Sequence, residues 1–496
     1  MRTYPEFNLI SYFMLVAALV HQSWAIHPPP MNETHSPFDY DVAVLGGGSA
    51  GYAAARVTAA AGLRTVVLEG GEEVGGLCIL RGCMPTKALL YYAEVLHLAT
   101  HAAPWGLQVG QVSFDFAQVM ARKDALIRGF ADYRREQLAD GRFKFIRARA
   151  QFLDPHTVAL DDGARLTAAQ FVITTGSSVA PAPLTSLREV GYLTSDDALK
   201  LTRLPKSLIV LGGGAVAVEF AQFFARFGVK VTLLQRSETI LREFDTDAAL
   251  EIEKVLRREG LDVFTDTELT GAQRQDGLKT LSFLHHGQPK SVAAEEILFA
   301  LGRVPNTGSL DLEQAGVATE RRRIVANEFM QTSAPHIYTA GDCTGPHGIV
   351  HIAVQQGEIA GHNLVPPGTR RRMDYRLLLS VVFTEPQLAC VGLTEKTAQE
   401  SGVAYLSASY PFNDHGKSLI MEARDGFVKL LADPQSGEIL GGACVGPAGG
   451  ELIHEIVVAM AKLMTVQELA TLPHYHPTLA EIWTYPAEEL AGRIPG

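Results

Sequence analysis

Cys78 and Cys83 close the two ends of a short loop in the run Gly75-Gly76-Leu77-Cys78-Ile79-Leu80-Arg81-Gly82-Cys83-Met84-Pro85-Thr86-Lys87. Two thiols this near in sequence can form a small disulfide ring, and a flavin or nicotinamide beside it can reduce that ring. Electrons would then run from a nucleotide cofactor to the sulfur pair and on to an outside acceptor. Two other uses compete: a pair of buried core cysteines, or half of a zinc site. Zinc wants a second Cys/His pair at ligand spacing, and Cys343, Cys390 and Cys444 are scattered singles.

Thiol exchange also needs a group that protonates the leaving sulfur and steadies the attacking thiolate. An imidazole, which titrates near neutrality, suits that work, and a nearby carboxylate can fix its tautomer and orientation. The run His474-Tyr475-His476-Pro477-Thr478-Leu479-Ala480-Glu481 carries both kinds of group.

The elements that must position these residues begin with Asp41-Val42-Ala43-Val44-Leu45, a buried parallel strand leading into Gly46-Gly47-Gly48-Ser49-Ala50-Gly51 and a helix over 52–61. Gly46 permits the tight turn, Gly48 lets the backbone approach a pyrophosphate, and Gly51 lets helix pack on strand. A second strand, Thr65-Val66-Val67-Leu68, ends in Glu69, placed to accept hydrogen bonds from a ribose diol. The pattern then repeats. Leu208-Ile209-Val210-Leu211 runs into Gly212-Gly213-Gly214-Ala215-Val216-Ala217, and a helix continues through Glu219 to Phe227. Its second strand, Lys230-Val231-Thr232-Leu233-Leu234, ends in Gln235-Arg236-Ser237, with no carboxylate for a free ribose diol. Arg236 and Arg242 can instead clamp a phosphate on that hydroxyl, so one site reads as FAD and the other as NADPH, with NADH the weaker candidate.

With these motifs in view, the chain resembles the class I FAD-dependent pyridine nucleotide–disulfide oxidoreductases, the group of dihydrolipoamide dehydrogenase, glutathione reductase and mercuric reductase. The resemblance runs from about Tyr40 to about Glu489. It rests further on Thr174-Thr175-Gly176, on Leu301-Gly302-Arg303-Val304-Pro305-Asn306, on Tyr338-Thr339-Ala340-Gly341-Asp342, and on Val382-Phe383-Thr384-Glu385-Pro386. It implies that Asp342 binds the flavin's ribityl chain, that Gly76, Thr175 and Gly176 also face FAD, and that Gly302 joins Gly212, Gly214 and Glu219 at the NADPH site. Cys83 would be the thiol against the flavin and Cys78 the exchange thiol. His476 would be the acid–base, with Glu481 its partner, reaching the disulfide of the other subunit of a homodimer. Lys87 and Glu219 would form the lysine–glutamate pair beside the flavin. His474 stays open between packing and function.

The implied fold is α/β: two doubly wound Rossmann-like nucleotide-binding domains and a C-terminal α+β dimerisation domain. The boundaries read as an extension over 1–38, FAD binding over 39–185 and 306–372, NAD(P)H binding over 186–305, and dimerisation over 373–496. The chain departs from its relatives in places. The usual loop Cys-x-Asn-Val-Gly-Cys becomes Cys78-Ile79-Leu80-Arg81-Gly82-Cys83, and Arg81 can lower a thiol pKa or attract an anionic acceptor. Ala215 stands where glutathione reductases carry a gating tyrosine. The tail Ala491-Gly492-Arg493-Ile494-Pro495-Gly496 lacks the cysteine pair that ends mercuric reductases. The favoured function is an NADPH-dependent reductase of a low-molecular-weight or protein disulfide. An NAD+-linked dihydrolipoamide dehydrogenase and a metal-ion reductase of the mercuric type are the alternatives.

Composition agrees with this class. At ~150 residues per domain, 496 residues allow about three cores. The net charge of −11 and the absence of a basic stripe argue against a nucleic-acid partner; Arg321-Arg322-Arg323 and Arg370-Arg371-Arg372 read as solvated loop faces. Arg2, the apolar run from Leu9 to Val20 and Ser23-Trp24-Ala25 resemble a secretory signal. The run is short for a bilayer span, no twin-arginine pair is present for folded export, and Met31 is a possible start, so a cytoplasmic location is favoured while export or membrane association stays possible.

Overall fold

A computed structural model describes residues 36–365 and 368–494, so most of the signal-like segment lies outside the described residues. The first unit is built on strands β1 (Tyr40–Leu45), β2 (Thr65–Leu68), β3 (Lys144–Ile146) and β4 (Arg165–Ile173), joined late in the chain by Ile337–Thr339. Their order is β3-β2-β1-β4 with the late strand beyond β4, all parallel. Val42, Ala43 and Val44 are fully buried, as a strand covered on both faces requires. The covering helix α1 (Ser49–Ala60) is rich in alanine for a physical reason. It lies so close to helix Val350–Asn363 that a Cβ on Gly357 would sit 2.2 Å from the Ala50 carbonyl. Two further helices, α2 (Gly76–Arg81) and α3 (Cys83–Thr100), meet at Gly82, and the long α4 (Phe116–Ala139) packs beside them.

The second unit repeats the plan. Strands Ser207–Leu211, Lys230–Leu234, Asp262–Phe264 and Glu296–Phe299 form a parallel sheet with Ser207–Leu211 between Lys230–Leu234 and Glu296–Phe299. Helix α5 (Ala215–Arg226) follows the glycine turn, and an antiparallel three-stranded sheet over residues 267–294 covers the other side. The chain enters and leaves this unit through an antiparallel pair, Ser177–Val179 against Arg303–Pro305. The third unit is a five-stranded antiparallel sheet, 379–382, 387–392, 439–446, 427–432 and 406–411 in spatial order, backed by helix Gly449–Ala461 and the buried Trp483, whose Nε1 donates to Leu452 O. These are the two doubly wound units and the α+β unit expected from the sequence. Among the described residues no helix is long and apolar enough to cross a membrane.

Buried charge ties the second unit to the third. Lys429, only 3% exposed, places Nζ 3.1 Å from Asp245, 2.7 Å from Asp247 and 2.8 Å from Glu395. Asp245 also accepts the backbone N–H groups of Glu395 and Lys396. Nearby, Gln222 exchanges two hydrogen bonds with the Glu385 backbone, and Arg226 pairs with Glu259 at 2.7 Å. Lys429→Ala would strand the buried Asp245 carboxylate, so it should lower unfolding stability by about 3 kcal/mol in denaturant titrations. A change below about 1 kcal/mol would show that solvent reaches the cluster.

Candidate active site

The redox loop is held by its helices. Cys78 sits in the first turn of α2, and Cys83 is the first residue of α3, where unpaired backbone N–H groups and the helix dipole favour an anion. The pair stands as a dithiol, both thiols half-buried. The two are not equivalent. A hydrogen bond from Cys78 and the charge of Lys87, working against burial, bring Cys83 down to about 7. The same hydrogen bond, burial and the charge of Cys83 push Cys78 far up. Cys83 is therefore the thiol that ionises first, and the proton stays on Cys78.

Lys87 lies one turn beyond Cys83 on α3. Its Nζ is 2.8 Å from Oε2 and 3.0 Å from Oε1 of Glu219 on α5, and 4.7 Å from the Phe383 ring centroid. Glu219 is 2% exposed, and its Oε1 also accepts the Phe383 backbone N–H at 2.9 Å. Arg81, by contrast, turns to Asp196, with Nε 3.7 Å from Oδ2. The cation acting on Cys83 is Lys87, because Arg81 ends α2 facing another partner.

The two glycine turns have the shape that a dinucleotide needs. Gly46 has φ +112°, and a Cβ there would lie 2.5 Å from the Thr174 carbonyl; Gly212 repeats this with φ +113° and 2.5 Å to the Ala300 carbonyl. Gly48 and Gly214 are the N-caps of α1 and α5, and neither cap has a side-chain hydrogen bond, so the helix N-termini stay open to a phosphate. Gly51 packs against the Gly46 carbonyl and Gly76 against the Gly48 backbone. The strand ends differ in kind. Glu69 accepts Gly47 N at 2.8 Å and Gly71 N at 2.7 Å, which holds its carboxylate at the edge of the first turn. At the matching place of the second turn, uncharged Gln235 packs under Gly213, and Arg236 and Arg242 extend exposed, with no ion pair to either side chain among the described residues. The first turn fits a free ribose diol. The second offers cations instead.

Thr175 and Gly176 are tied to Asn306: Thr175 Oγ1 donates to Asn306 O at 2.7 Å, and Asn306 N donates to Gly176 O at 3.0 Å. Gly302, φ +104°, turns the chain into that crossing. Asp342 accepts the Ser177 hydroxyl at 2.6 Å, and Arg303 donates to Ser177 O and Oγ. Ser177 and the Arg303 side chain were not singled out from sequence, because their partners lie more than a hundred residues away and carry no local signature.

His476 and Glu481 are brought together, with Nδ1 2.9 Å from Oε2. Burial opposes ionisation of Glu481, but the hydrogen bond and charge of His476 outweigh it and hold the carboxyl below its usual range. His474 bonds Glu455 at 2.7 Å instead. No hydrogen bond or ion pair joins His476 or Glu481 to Cys78, Cys83 or Lys87 among the described residues, and the His476 side chain is 77% exposed. Within one chain the base and the dithiol are separate.

Residues 40–357 match a family model described as pyridine nucleotide-disulphide oxidoreductase, and residues 378–487 match that family's dimerisation domain. The chain is 33% identical over 454 residues to a dihydrolipoyl dehydrogenase of Geobacillus stearothermophilus, covering 90% of this chain and 96% of the relative. It is 33% identical over 449 residues to a mercuric reductase of Staphylococcus aureus, covering 89% and 81%. Among solved structures, the HOCl-induced flavoprotein disulfide reductase RclA from Escherichia coli superposes with a TM-score of 0.81 at 28% identity, covering 90% of this chain and 99% of the other. LpdA from Mycobacterium tuberculosis gives 0.82 at 28% identity with the same coverage.

If Lys87 sets the Cys83 ionisation, then in the FAD-loaded, two-electron-reduced protein the long-wavelength thiolate–flavin band should fade as pH falls through about 7. Lys87→Met should move that midpoint up by about one unit, worth ~1.4 kcal/mol. An unmoved midpoint would assign the low value to the helix terminus and Cys78 alone.

Proposed function

Since the chain belongs to the pyridine nucleotide–disulphide oxidoreductases, a family of FAD-dependent oxidoreductases, we propose that it is an NADPH-dependent disulfide reductase acting on a low-molecular-weight or protein disulfide. The observation that carries the reading is the Cys83 thiol, brought down to about 7 beside Lys87, together with a second nucleotide turn that offers Arg236 and Arg242 where the first offers Glu69.

FAD would lie along the first turn, with Glu69 at its ribose, Gly48 and α1 at its pyrophosphate, and Asp342 at its ribityl chain. Bound there, it supplies two-electron transfer between a nicotinamide and a thiol pair. The chain's own residues do the rest. Lys87 stabilises the Cys83 thiolate, and Cys78 passes its proton to His476 as it attacks one sulfur of the incoming disulfide. The S–S bond breaks, and His476, as imidazolium held by Glu481, protonates the departing sulfur. Cys83 then attacks the Cys78 sulfur of the mixed disulfide. The second substrate sulfur leaves as a thiolate that solvent protonates, and the Cys78–Cys83 disulfide remains to be reduced from NADPH.

Coenzyme choice tests the phosphate clamp. NADPH should reduce the bound flavin far more efficiently than NADH, and Arg236→Glu should erode that ratio by ~1–3 kcal/mol, the scale of one charge-assisted contact. Equal or better rates with NADH in the wild type would point to an NAD+-linked dihydrolipoamide dehydrogenase instead. A cytoplasmic location, where thiols are kept reduced, suits an enzyme that holds Cys78 and Cys83 as a working dithiol.

Separation of base and dithiol within one chain supports a two-fold dimer whose sites are shared. Cys78→Ser and His476→Ala proteins should each be inactive, yet regain activity when their subunits exchange. Half of the exchanged dimers are mixed and each has one intact site, so about a quarter of wild-type sites should return. Proven exchange without recovery would refute sharing.

A further inference from the structure

His415 is the most deeply buried imidazole near the candidate base, at 0% exposure, in a turn between strand 406–411 and helix Gly416–Ile420. Its Nδ1 lies 2.8 Å from the Ser418 hydroxyl. Its Nε2 is a buried nitrogen without a formed hydrogen bond, and Oε1 of Glu481 lies 3.4 Å from it. The other oxygen of that carboxylate, Oε2, is the one that holds His476 Nδ1 at 2.9 Å. Glu481 thus stands between two imidazoles, one buried and one exposed, with only the Thr478 backbone N–H at 3.3 Å as a further donor.

We propose that His415 is a positioning residue for the acid–base: its Nε2–H engages Glu481 Oε1, fixes the carboxylate's rotation, and so sets the orientation and tautomer of His476. The inference rests on the reading of His476 as the proton donor.

Three features carry it. The Ser418 hydroxyl can donate to Nδ1, which leaves the ring proton on Nε2, the nitrogen that lies beside the carboxylate; the opposite tautomer would bring a lone pair up to an anion. The ring is neutral. Burial and the charge of His476 hold its pKa below the ordinary histidine value, against the pull of Glu481. A neutral donor orients the carboxylate without neutralising it, so the full negative charge stays available to the His476 imidazolium. Finally, His415 is itself clamped: its ring meets Tyr485 edge-on at 6.3 Å and Phe412 at 6.4 Å, and Tyr485 stacks on Tyr410, whose hydroxyl bonds Asp414. The titratable groups around it are therefore Glu481 and Tyr485 in contact, His476 across the carboxylate, and Tyr410 of strand 406–411 with Asp414 behind Tyr485. Without the buried ring the carboxylate would be held by a 77%-exposed imidazole and a long Thr478 N–H contact; the ring supplies a fixed side.

Two variants of the FAD-loaded dimer separate orientation from packing. His415→Phe keeps the buried ring volume and removes the donor, whereas His415→Gln places an amide N–H near the Nε2 position. In His415→Phe, kcat for disulfide reduction should fall about tenfold. The basic limb of its pH profile should also move to lower pH by about half a unit or more, because the imidazolium loses a fixed partner. NADPH reduction of the flavin should be unchanged, which certifies the fold. His415→Gln should recover kcat to within about twofold. His415→Phe added to Glu481→Gln should cost nothing further, since both act through one carboxylate. An unchanged kcat and pH profile in His415→Phe, or losses that add in the double variant, would overturn the assignment. Should His476→Ala itself keep full disulfide turnover, the base reading fails first, and the role of His415 falls with it.

Discussion

One buried carboxylate organises this molecule. Glu219 sits on α5 of the second unit, receives the ammonium of Lys87 from the redox helix of the first, and takes the Phe383 backbone N–H from the third. At 2% exposure it cannot rely on water, so each donor must be in place for the charge to be tolerated. The consequence is geometric. The helix that begins with Cys83, the helix that begins at the second nucleotide turn, and the strand edge that opens the C-terminal unit are fixed to one another within a hydrogen bond's length. The proposed function, with a flavin between a nicotinamide and a thiolate, would need that tolerance.

The same pair explains why two cysteines in one loop behave differently. Both are half-buried, and burial alone would raise both. Cys83 escapes because it accepts the hydrogen bond of Cys78, begins α3 and has Lys87 one turn away, while on Cys78 the hydrogen bond it donates and its burial outweigh the pull of Lys87. Arg81, the residue that most sets this loop apart, pairs with Asp196. It changes how the loop is tied down more than the charge at the sulfur.

Much of this was legible from the sequence, and the reason is locality. A glycine turn between strand and helix, a Glu or Gln at a strand end, and a histidine with a carboxylate one turn on are all patterns whose parts lie within a few dozen residues. Lys87 and Glu219 lie far apart and were found only because each belongs to a recognisable motif. What stayed hidden has no motif. Ser177 bridges Arg303 and Asp342 across the crossing strands, and His415 meets Glu481 through a turn of a different strand. A lone serine or histidine in a loop gives no periodic or spacing signal, and only the folded sheet brings it to its partner.

The base itself is arranged opposite to the dithiol, and that contrast has a physical cause. Cys83 needs shielding, since its thiolate gains from Lys87 only where water does not screen the charge. A protonating group, the role proposed for His476, must instead meet a substrate that arrives from outside, and His476, with Tyr475 beside it at 84% exposure, stands out from the fold. An exposed imidazole has little packing to orient it. Its order has to come from what lies beneath, which is Glu481 at 13% side-chain exposure and, behind that carboxylate, a ring with no exposure at all. On the proposed reading, order is handed outward from a buried ring through a carboxylate to an open imidazole, and the site is completed only when a second chain brings its dithiol to that end.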